Sequence, residues 1–289
     1  YVDSEKTNLL EAIRSLINDK RDWADSRLLS ALCAGEAYAI PRLGDEETVD
    51  KLQALKVYDQ YRQMISTAPM EIIYSGSADL ERVRLALAAA FATLPREEVR
   101  AISAAEPHIG RETVQYVEDA MDVTQGKLGM GFSCGSSDMP ALLMGNTLFG
   151  GSSNSKLFLN VREKLSLCYY ASSAYHRSKG IVTVSSGIEC RDVETAKREI
   201  LAQLASVQRG EFEEWEVEGA RACLIASLES RGDSAGRMEE NALGQVATGI
   251  RETADELIAA LRAVTNERIA EAAQSMTLDT VYFLTGEDS

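Results

Sequence analysis

The chain has 289 residues, of which 45% are hydrophobic and 26% charged, as expected for a globular protein with a sizeable buried core. Its formal net charge of −15 at pH 7 argues against nucleic-acid binding, because phosphate groups are bound by basic surfaces. The sequence contains no apolar run of the ~20 residues that a membrane span requires. We therefore expect a cytoplasmic protein with no nucleic-acid partner and no membrane partner.

The first part of the chain is predicted to be mostly helical. Helical patterns cover 4–38 and 45–65, whereas 70–76 has the β-branched and aromatic composition of a strand. Ser77 is a good N-cap for a further helix that stops before Pro95.

A charged, irregular segment at 96–111 predicts a linker, after which strands and helices alternate. The predicted strands are 112–119, 125–134, 169–177, 181–189 and 279–285, with a hairpin turn at Ser178-Lys179-Gly180. A helix followed by a strand occurs at 48–76 and again at 266–286, which indicates a weak internal duplication. These patterns predict an α+β fold of mostly antiparallel sheets with helices packed on one face, in duplicated halves of which the first is incomplete.

The five cysteines are odd in number and lack C-x-x-C spacing; they are Cys33, Cys134, Cys168, Cys190 and Cys223. Their mostly apolar surroundings predict free, buried thiols in a reducing compartment rather than a disulfide framework or a zinc ribbon.

Catalytic motifs are scarce. The only two histidines, His108 and His176, are far apart, so H-E-x-x-H is absent, and neither G-x-S-x-G nor a P-loop occurs. We expect both histidines to be solvated polar residues. The acidic residues of 211–218 are most simply a solvated helix face.

The stretch 141–170 is the most informative part of the sequence. An apolar helix ends at Gly150-Gly151, and polar turn residues lead to Ser155 as the N-cap of a second amphipathic helix. The loop could bind an anion at a helix N-terminus, although its turn chemistry favours a turn with an N-cap. Taken alone, Arg162 on the flank of the second helix would be a surface charge, and Tyr169 would be an ordinary strand residue.

The run Leu-Phe-Gly-Gly-x-x-x-Ser-Lys-Leu-Phe-x-x-Val-Arg-Glu-Lys-x-x-Leu-x-Tyr at 148–169 resembles the second-half signature of the insulinase/pitrilysin metallopeptidases. The resemblance extends over essentially the whole chain; 124–128 is similar to the strand that opens the family's second half. In that family one half holds zinc through H-x-x-E-H and a downstream glutamate. The other half faces it across a chamber and contributes an arginine and a tyrosine.

The resemblance implies roles for five residues. Arg162 would donate to a peptide carbonyl or an oxyanion, Tyr169 would add a second hydrogen bond, and Phe149, Gly150 and Gly151 would line the approach to the chamber. It implies no catalytic residue and no metal ligand in this chain.

The zinc motif of the family is absent from this sequence. Either the chain is a fragment that begins after the motif, or it comes from a non-catalytic branch. Aligning Glu5 and Ile13 with the family's helix places Ala12 at the third ligand position, with Glu11 about 100° away round the helix. Because alanine cannot bind zinc, we favour a degenerate site.

The resemblance thus implies the end of a first half at 1–95, a linker at 96–111 and a complete second half at 112–289. We expect a non-catalytic bacterial peptidase homologue, inactive alone, that binds peptide and completes the chamber of a zinc-bearing H-x-x-E-H partner. The partner would be a homologous catalytic subunit in a heterodimer, or a second copy of the chain. No cofactor is expected in this chain, with zinc in a preceding segment or in the partner. The alternatives are a fragment of an active zinc endopeptidase and a purely structural assembly subunit.

Overall fold

The structure, a computed structural model, describes residues 1–101 and 106–287, and the chain divides into two units. The first unit is formed by Tyr1–Ala12, Asp45–Ala105 and Ser230–Arg251, and the second by Ile13–Gly44, Glu106–Glu229 and Glu252–Ser289. The predicted division into 1–95, a linker at 96–111 and 112–289 stays a prediction. Within the predicted linker 96–111, residues 102–105 lie outside the described residues.

Helices form much of both units. In the described part of the chain the α-helices are α1 (Val2–Ser15), α2 (Lys20–Leu32), α3 (Glu46–Asp50), α4 (Ala54–Thr67), α5 (Leu80–Phe91), α6 (Met139–Asn146), α7 (Val193–Gln208), α8 (Glu214–Glu229), α9 (Ala235–Thr248), α10 (Ala254–Arg262) and α11 (Asn266–Gln274). Two segments, Thr147–Gly151 and Leu157–Lys164, are π-helical. No helix in 1–101 or 106–287 combines the length and apolar character that crossing a membrane would require.

A five-stranded sheet organises the second unit. Its strands are β1 (Gln115–Met121), β2 (Gly126–Cys134), β3 (Cys168–His176), β4 (Ile181–Ile188) and β5 (Met276–Gly286). The strand order is β1-β5-β2-β4-β3; β1 and β5 are parallel and the other pairs are antiparallel. The predicted α+β class with mostly antiparallel pairing is confirmed.

The main hydrophobic core lies on one face of this sheet. In β2, Leu128, Met130 and Phe132 alternate towards this core and are almost completely buried. The core also includes residues of α6, α7 and α11, such as Leu142, Ile200 and Ile269. This helical layer is the one that the apolar periodicity of the sequence predicts.

Helix α2 covers the other face of the sheet. Leu28 and Leu32 lie over the glycines that alternate with the core residues of β2. A Cβ atom added to Gly131 would lie 2.7 Å from Leu32 Cδ2, and one added to Gly129 would lie 3.1 Å from Leu28 Cδ2. The missing side chains therefore allow close contact between helix and sheet, and each buried leucine contributes on the order of 2 kcal/mol.

The strand predicted at 70–76 does not form, and this prediction is wrong. Ile72, Ile73 and Tyr74 are exposed, and no other described segment pairs with them. An unpaired strand has no stabilising hydrogen bonds, which explains why β composition alone fails here. The following helix α5 is capped by Asp79, whose carboxylate accepts a hydrogen bond from the Arg82 N–H, rather than by Ser77.

Candidate functional site

A short turn at 165–167 joins the π-helical segment Leu157–Lys164 to strand β3 and carries the predicted Arg162–Tyr169 pair. Leu157 and Val161 are fully buried and anchor the segment to the core. The Ser166 N–H donates to the Arg162 carbonyl oxygen at 3.1 Å, and Ser166 has a left-handed φ of 52°. The turn therefore reverses the chain within a few residues, which places Arg162 and Tyr169 on either side of it.

Arg162 lies on the flank of its segment, with its side chain 39% exposed. Its guanidinium carbon lies 4.7 Å from the centre of the Phe158 ring, and its Nε lies 3.6 Å from Glu163 Oε1. Both contacts are with close neighbours in sequence, so they constrain the side chain only weakly. An exposed guanidinium held in this way can donate hydrogen bonds to an external carbonyl or carboxylate.

Tyr169 occupies a β-bulge at the start of β3. Cys168 pairs with Ile188 and Tyr170 pairs with Gly187, so Tyr169 is the extra residue on this strand. Its side chain is 58% exposed, and its hydroxyl donates to a carboxylate oxygen of Glu189. This hydrogen bond and the nearby negative charge raise the pKa of Tyr169. Within the described residues β3 is the last strand of the sheet, so the bulge presents Tyr169 at a sheet edge.

Phe149, Gly150 and Gly151 lie directly before the turn that leads to Ser155. Phe149 is fully buried and packs edge-on against Phe132, with ring centres 6.2 Å apart. A Cβ atom on Gly150 would lie 2.8 Å from the Ser173 backbone nitrogen of β3. The packing thus requires glycine at 150, and it places Phe149 beneath the surface; the predicted contribution of these three residues to peptide binding stays a prediction.

The turn after Gly151 is a helix cap, as the turn chemistry predicts. Ser155 Oγ accepts a hydrogen bond from the Phe158 N–H at 3.4 Å. The next residue, Lys156, is buried, and its ammonium lies 3.0 Å from Glu216 Oε1. Glu216 also accepts a hydrogen bond from the Glu213 N–H at 2.8 Å. Because its side chain is only 10% exposed and pairs with Lys156, the prediction that Glu216 belongs to a solvated acidic face is wrong. Lys156 is therefore a buried position of this helix, and its charged end is paired with Glu216.

A buried polar group, which we call the His108 cluster, consists of Glu36, His108, Arg111, Lys179 and Asp279. His108 Nδ1 lies 2.6 Å from Glu36 Oε1, and its Nε2 lies 3.2 Å from Asp279 Oδ2. Lys179 pairs with Glu36 and Arg111 pairs with Asp279. The prediction that His108 is solvated is wrong, because these carboxylates compensate its burial.

Asp279 is the most buried carboxylate of the cluster, with a side chain only 1% exposed. Burial alone would raise its pKa, but hydrogen bonds from Thr280, Arg111 and His108 outweigh burial and lower the pKa of Asp279 below its usual value. No spacing signal in the sequence connects these residues, since they come from four distant segments.

His176 is half-buried rather than solvated. Its Nδ1 lies 3.1 Å from the Tyr38 hydroxyl and its Nε2 lies 3.0 Å from Thr183 Oγ1. Burial lowers the pKa of His176. Cys33, Cys134 and Cys168 are buried thiols, as predicted, whereas Cys190 is half-buried and Cys223 is exposed.

The chain does not offer the zinc ligands that the family resemblance describes. The sequence has two histidines, at 108 and 176, and therefore no H-x-x-E-H motif. At the aligned third ligand position α1 carries Ala12, and the neighbouring Glu11 is exposed.

Comparison with known proteins agrees with these observations. Residues 51–224 match the family model described as the peptidase M16 inactive domain. The chain is 34% identical over 294 residues to a probable inactive metalloprotease, YmfF, of Bacillus subtilis, covering 100% of this chain and 68% of that protein.

Two solved structures share the fold. A conserved protein from Enterococcus faecalis is 29% identical with a TM-score of 0.88, and the match covers 99% of this chain and 68% of that one. A protease from Helicobacter pylori is 14% identical with a TM-score of 0.82, and the match covers 98% of this chain and 72% of that one.

Proposed function

Because the chain belongs to the peptidase M16 inactive-domain family, we infer that it is a non-catalytic subunit that binds extended peptide at the Arg162 surface and acts beside a zinc-bearing catalytic partner. We define the Arg162 surface as Arg162, Tyr169 and the edge of β3. The observation that carries this proposal is a partly exposed guanidinium and an exposed phenol on either side of one turn, in a chain without H-x-x-E-H.

The edge of β3 supports peptide as the ligand. An edge strand offers backbone N–H and C=O groups that an extended peptide can pair with by adding a strand. Beside that edge, Arg162 can donate to a peptide carbonyl, and the Tyr169 hydroxyl, whose hydrogen is donated to Glu189, can accept from a peptide N–H. At the bulge, Tyr169 is left out of the regular pairing between β3 and β4. Bulges near functional sites often position a side chain in this way.

The partner is inferred from what the chain lacks. Peptide hydrolysis of the M16 type needs a zinc-bound water, and the ligands for that zinc must come from another segment or another subunit. A homologous subunit with H-x-x-E-H would supply them. The net charge of −15 favours basic peptides as ligands.

Peptide binding can be tested with a fluorescein-labelled, unstructured basic peptide in anisotropy titrations. We expect Arg162→Ala to weaken binding about tenfold, as the loss of one charge-assisted hydrogen bond implies, and Tyr169→Phe to weaken it less. Arg209→Ala is the matched control, since Arg209 is an exposed arginine of the same unit that pairs with Glu211. Equal binding by wild type, Arg162→Ala and the control would contradict the proposed peptide site.

The catalytic partnership needs a separate assay. The chain should co-purify with an H-x-x-E-H homologue from the same organism and increase its peptide cleavage, and Arg162→Ala should reduce that increase. Co-purification with cleavage unaffected by Arg162→Ala would favour a structural assembly subunit. Stoichiometric zinc and cleavage by the native protein without a partner would favour an active endopeptidase.

A further inference from the structure

A second group of potential ligands lies next to the His108 cluster. Among the described residues, Cys33, Glu36 and His108 place a thiol sulfur, a carboxylate oxygen and an imidazole nitrogen within 4.8 Å of one another. Cys33 is fully buried and the His108 side chain is 4% exposed, whereas the Glu36 side chain is 28% exposed. The group is therefore open to solvent on the Glu36 side only.

We propose that Cys33, Glu36 and His108 bind a thiophilic divalent cation, with Zn²⁺ as the best match to a sulfur, nitrogen and oxygen ligand set. The spacing suits this chemistry, because ligand atoms about 2.0–2.3 Å from one zinc ion are separated from each other by less than 4.8 Å. Three protein ligands leave a further position for water on the open side.

Asp279 orients the histidine for this role. Its Oδ2 lies 3.2 Å from His108 Nε2, so an N–H there can donate to the carboxylate and leave Nδ1 facing Glu36. A carboxylate bonded to the second nitrogen of a metal-binding histidine is the usual arrangement, since it fixes both the tautomer and the ring orientation.

His108 Nδ1 and Glu36 Oε1 lie 2.6 Å apart, at hydrogen-bond distance. Cation binding would replace this hydrogen bond with bonds to Nδ1, Sγ and Oε1, and any proton on these atoms would be released to solvent.

The ion pairs around the group use atoms other than the proposed metal ligands. Lys179 stays on Glu36 Oε2, which leaves Oε1 for the metal, and Arg111 stays on Asp279. The two cations therefore hold the carboxylates in place without occupying the atoms that the metal needs.

The proposed site is separate from the zinc chemistry of the M16 family. It contains a thiolate, lies in the second unit, and involves no H-x-x-E-H motif. It would also revise the expectation that this chain holds no cofactor of its own, and it does not depend on the proposed peptide binding. A metal bound in this way would tie α2 and the following turn to the segment around His108.

The test uses Co²⁺ added to the chelator-treated 289-residue chain. We expect one Co²⁺ per chain, with a thiolate-to-cobalt charge-transfer band and visible d–d bands that Zn²⁺ abolishes by competition. Cys33→Ser should lose the charge-transfer band, whereas the matched control Cys168→Ser, which changes another buried thiol of the same unit, should keep it. Asp279→Asn should weaken metal affinity by about tenfold or more.

Two results would overturn the proposal. One is a wild-type protein that gives no charge-transfer band with excess Co²⁺. The other is a band that persists in Cys33→Ser, which would place the metal at another thiol. Circular dichroism checks that each variant folds; if Cys33→Ser does not, Glu36→Gln keeps the side-chain volume at a partly exposed position and should reduce affinity for Co²⁺.

Discussion

The His108 cluster and the Arg162 surface are two polar groups of the same unit with opposite constraints. The cluster is buried and its charges come from four separate parts of the chain, at 36, 108–111, 179 and 279. Arg162 is partly exposed and Tyr169 is exposed, and their contacts lie within their own segment or just after the adjacent strand β4. The difference suggests that the cluster holds the unit together, whereas the Arg162 surface can be altered without loss of fold.

The largest predicted effect is at Asp279. Asp279→Ala removes the partner of His108 and Arg111 and leaves buried charge uncompensated. We expect the free energy of unfolding to fall by about 3–5 kcal/mol, measured by urea denaturation. Asp279→Asn, which keeps shape and some hydrogen bonds, should cost less. A change below about 1 kcal/mol for Asp279→Ala would show that the cluster does not stabilise the unit.

Acid should weaken the cluster through protonation of Asp279. The pKa of Asp279 is lower in the folded chain than its ordinary value near 3.9, so the unfolded chain binds more protons as the pH falls. The stability from Asp279 is complete above that ordinary value and is lost as the pH falls through the folded pKa.

Denaturation midpoints measured at a series of pH values between about 6 and 3 give this slope. The Asp279→Asn variant should show a shallower decline than wild type over the acidic end of the range. Parallel curves for the two proteins would mean that other carboxylates cause the acid sensitivity.

Gly150→Ala tests the close packing of Gly150 against Leu157 and strand β3. A Cβ there would lie 2.7 Å from Leu157 Cδ1 and 2.8 Å from the Ser173 nitrogen, and the backbone atom cannot move as a flexible side chain can. We expect a loss of about 1–3 kcal/mol in thermal or urea unfolding. Gly219→Ala is the control, since no atom lies within 4 Å of its added Cβ and alanine favours the helix. Equal stability of the two variants would contradict this view of Gly150.

The smallest predicted effect on stability is at Arg162 itself. Because its contacts are an exposed ion pair and a partly exposed ring, Arg162→Ala should change the free energy of unfolding by less than about 0.5 kcal/mol. Tyr169→Phe should give no measurable change in the same urea titration. A large loss at either position would make the surface part of the structural framework and weaken the case for a binding role.

The sequence predicts the second unit well because its strands alternate and its helices carry apolar stripes. It fails at 70–76, where strand composition is present but no described segment provides a partner. Sequence reasoning does not find the His108 cluster, because contacts between distant segments leave no local pattern in the sequence. The bulge at Tyr169 was also missed, since one extra residue in a strand does not alter composition.

The candidate site, like the fold, is predicted only in part by the sequence. Residue type and spacing identify Arg162 and Tyr169, and the structure adds their exposure and the free edge of β3. For Glu216, the position on the predicted helix indicates a solvated carboxylate, but the buried ammonium of Lys156 draws this carboxylate inward. Local sequence therefore predicts which residues carry suitable chemistry, whereas burial depends on partners elsewhere in the chain.

The position of β5 in the sheet has a consequence for synthesis of the protein. Residues 276–286 lie between β1 and β2, so the nascent chain has a gap in the middle of its sheet until they have been made. Before that point β1 lacks its partner and β2 has an open edge, which are conditions that favour pairing between chains. These two edges therefore stay open to other chains until β5 has been made.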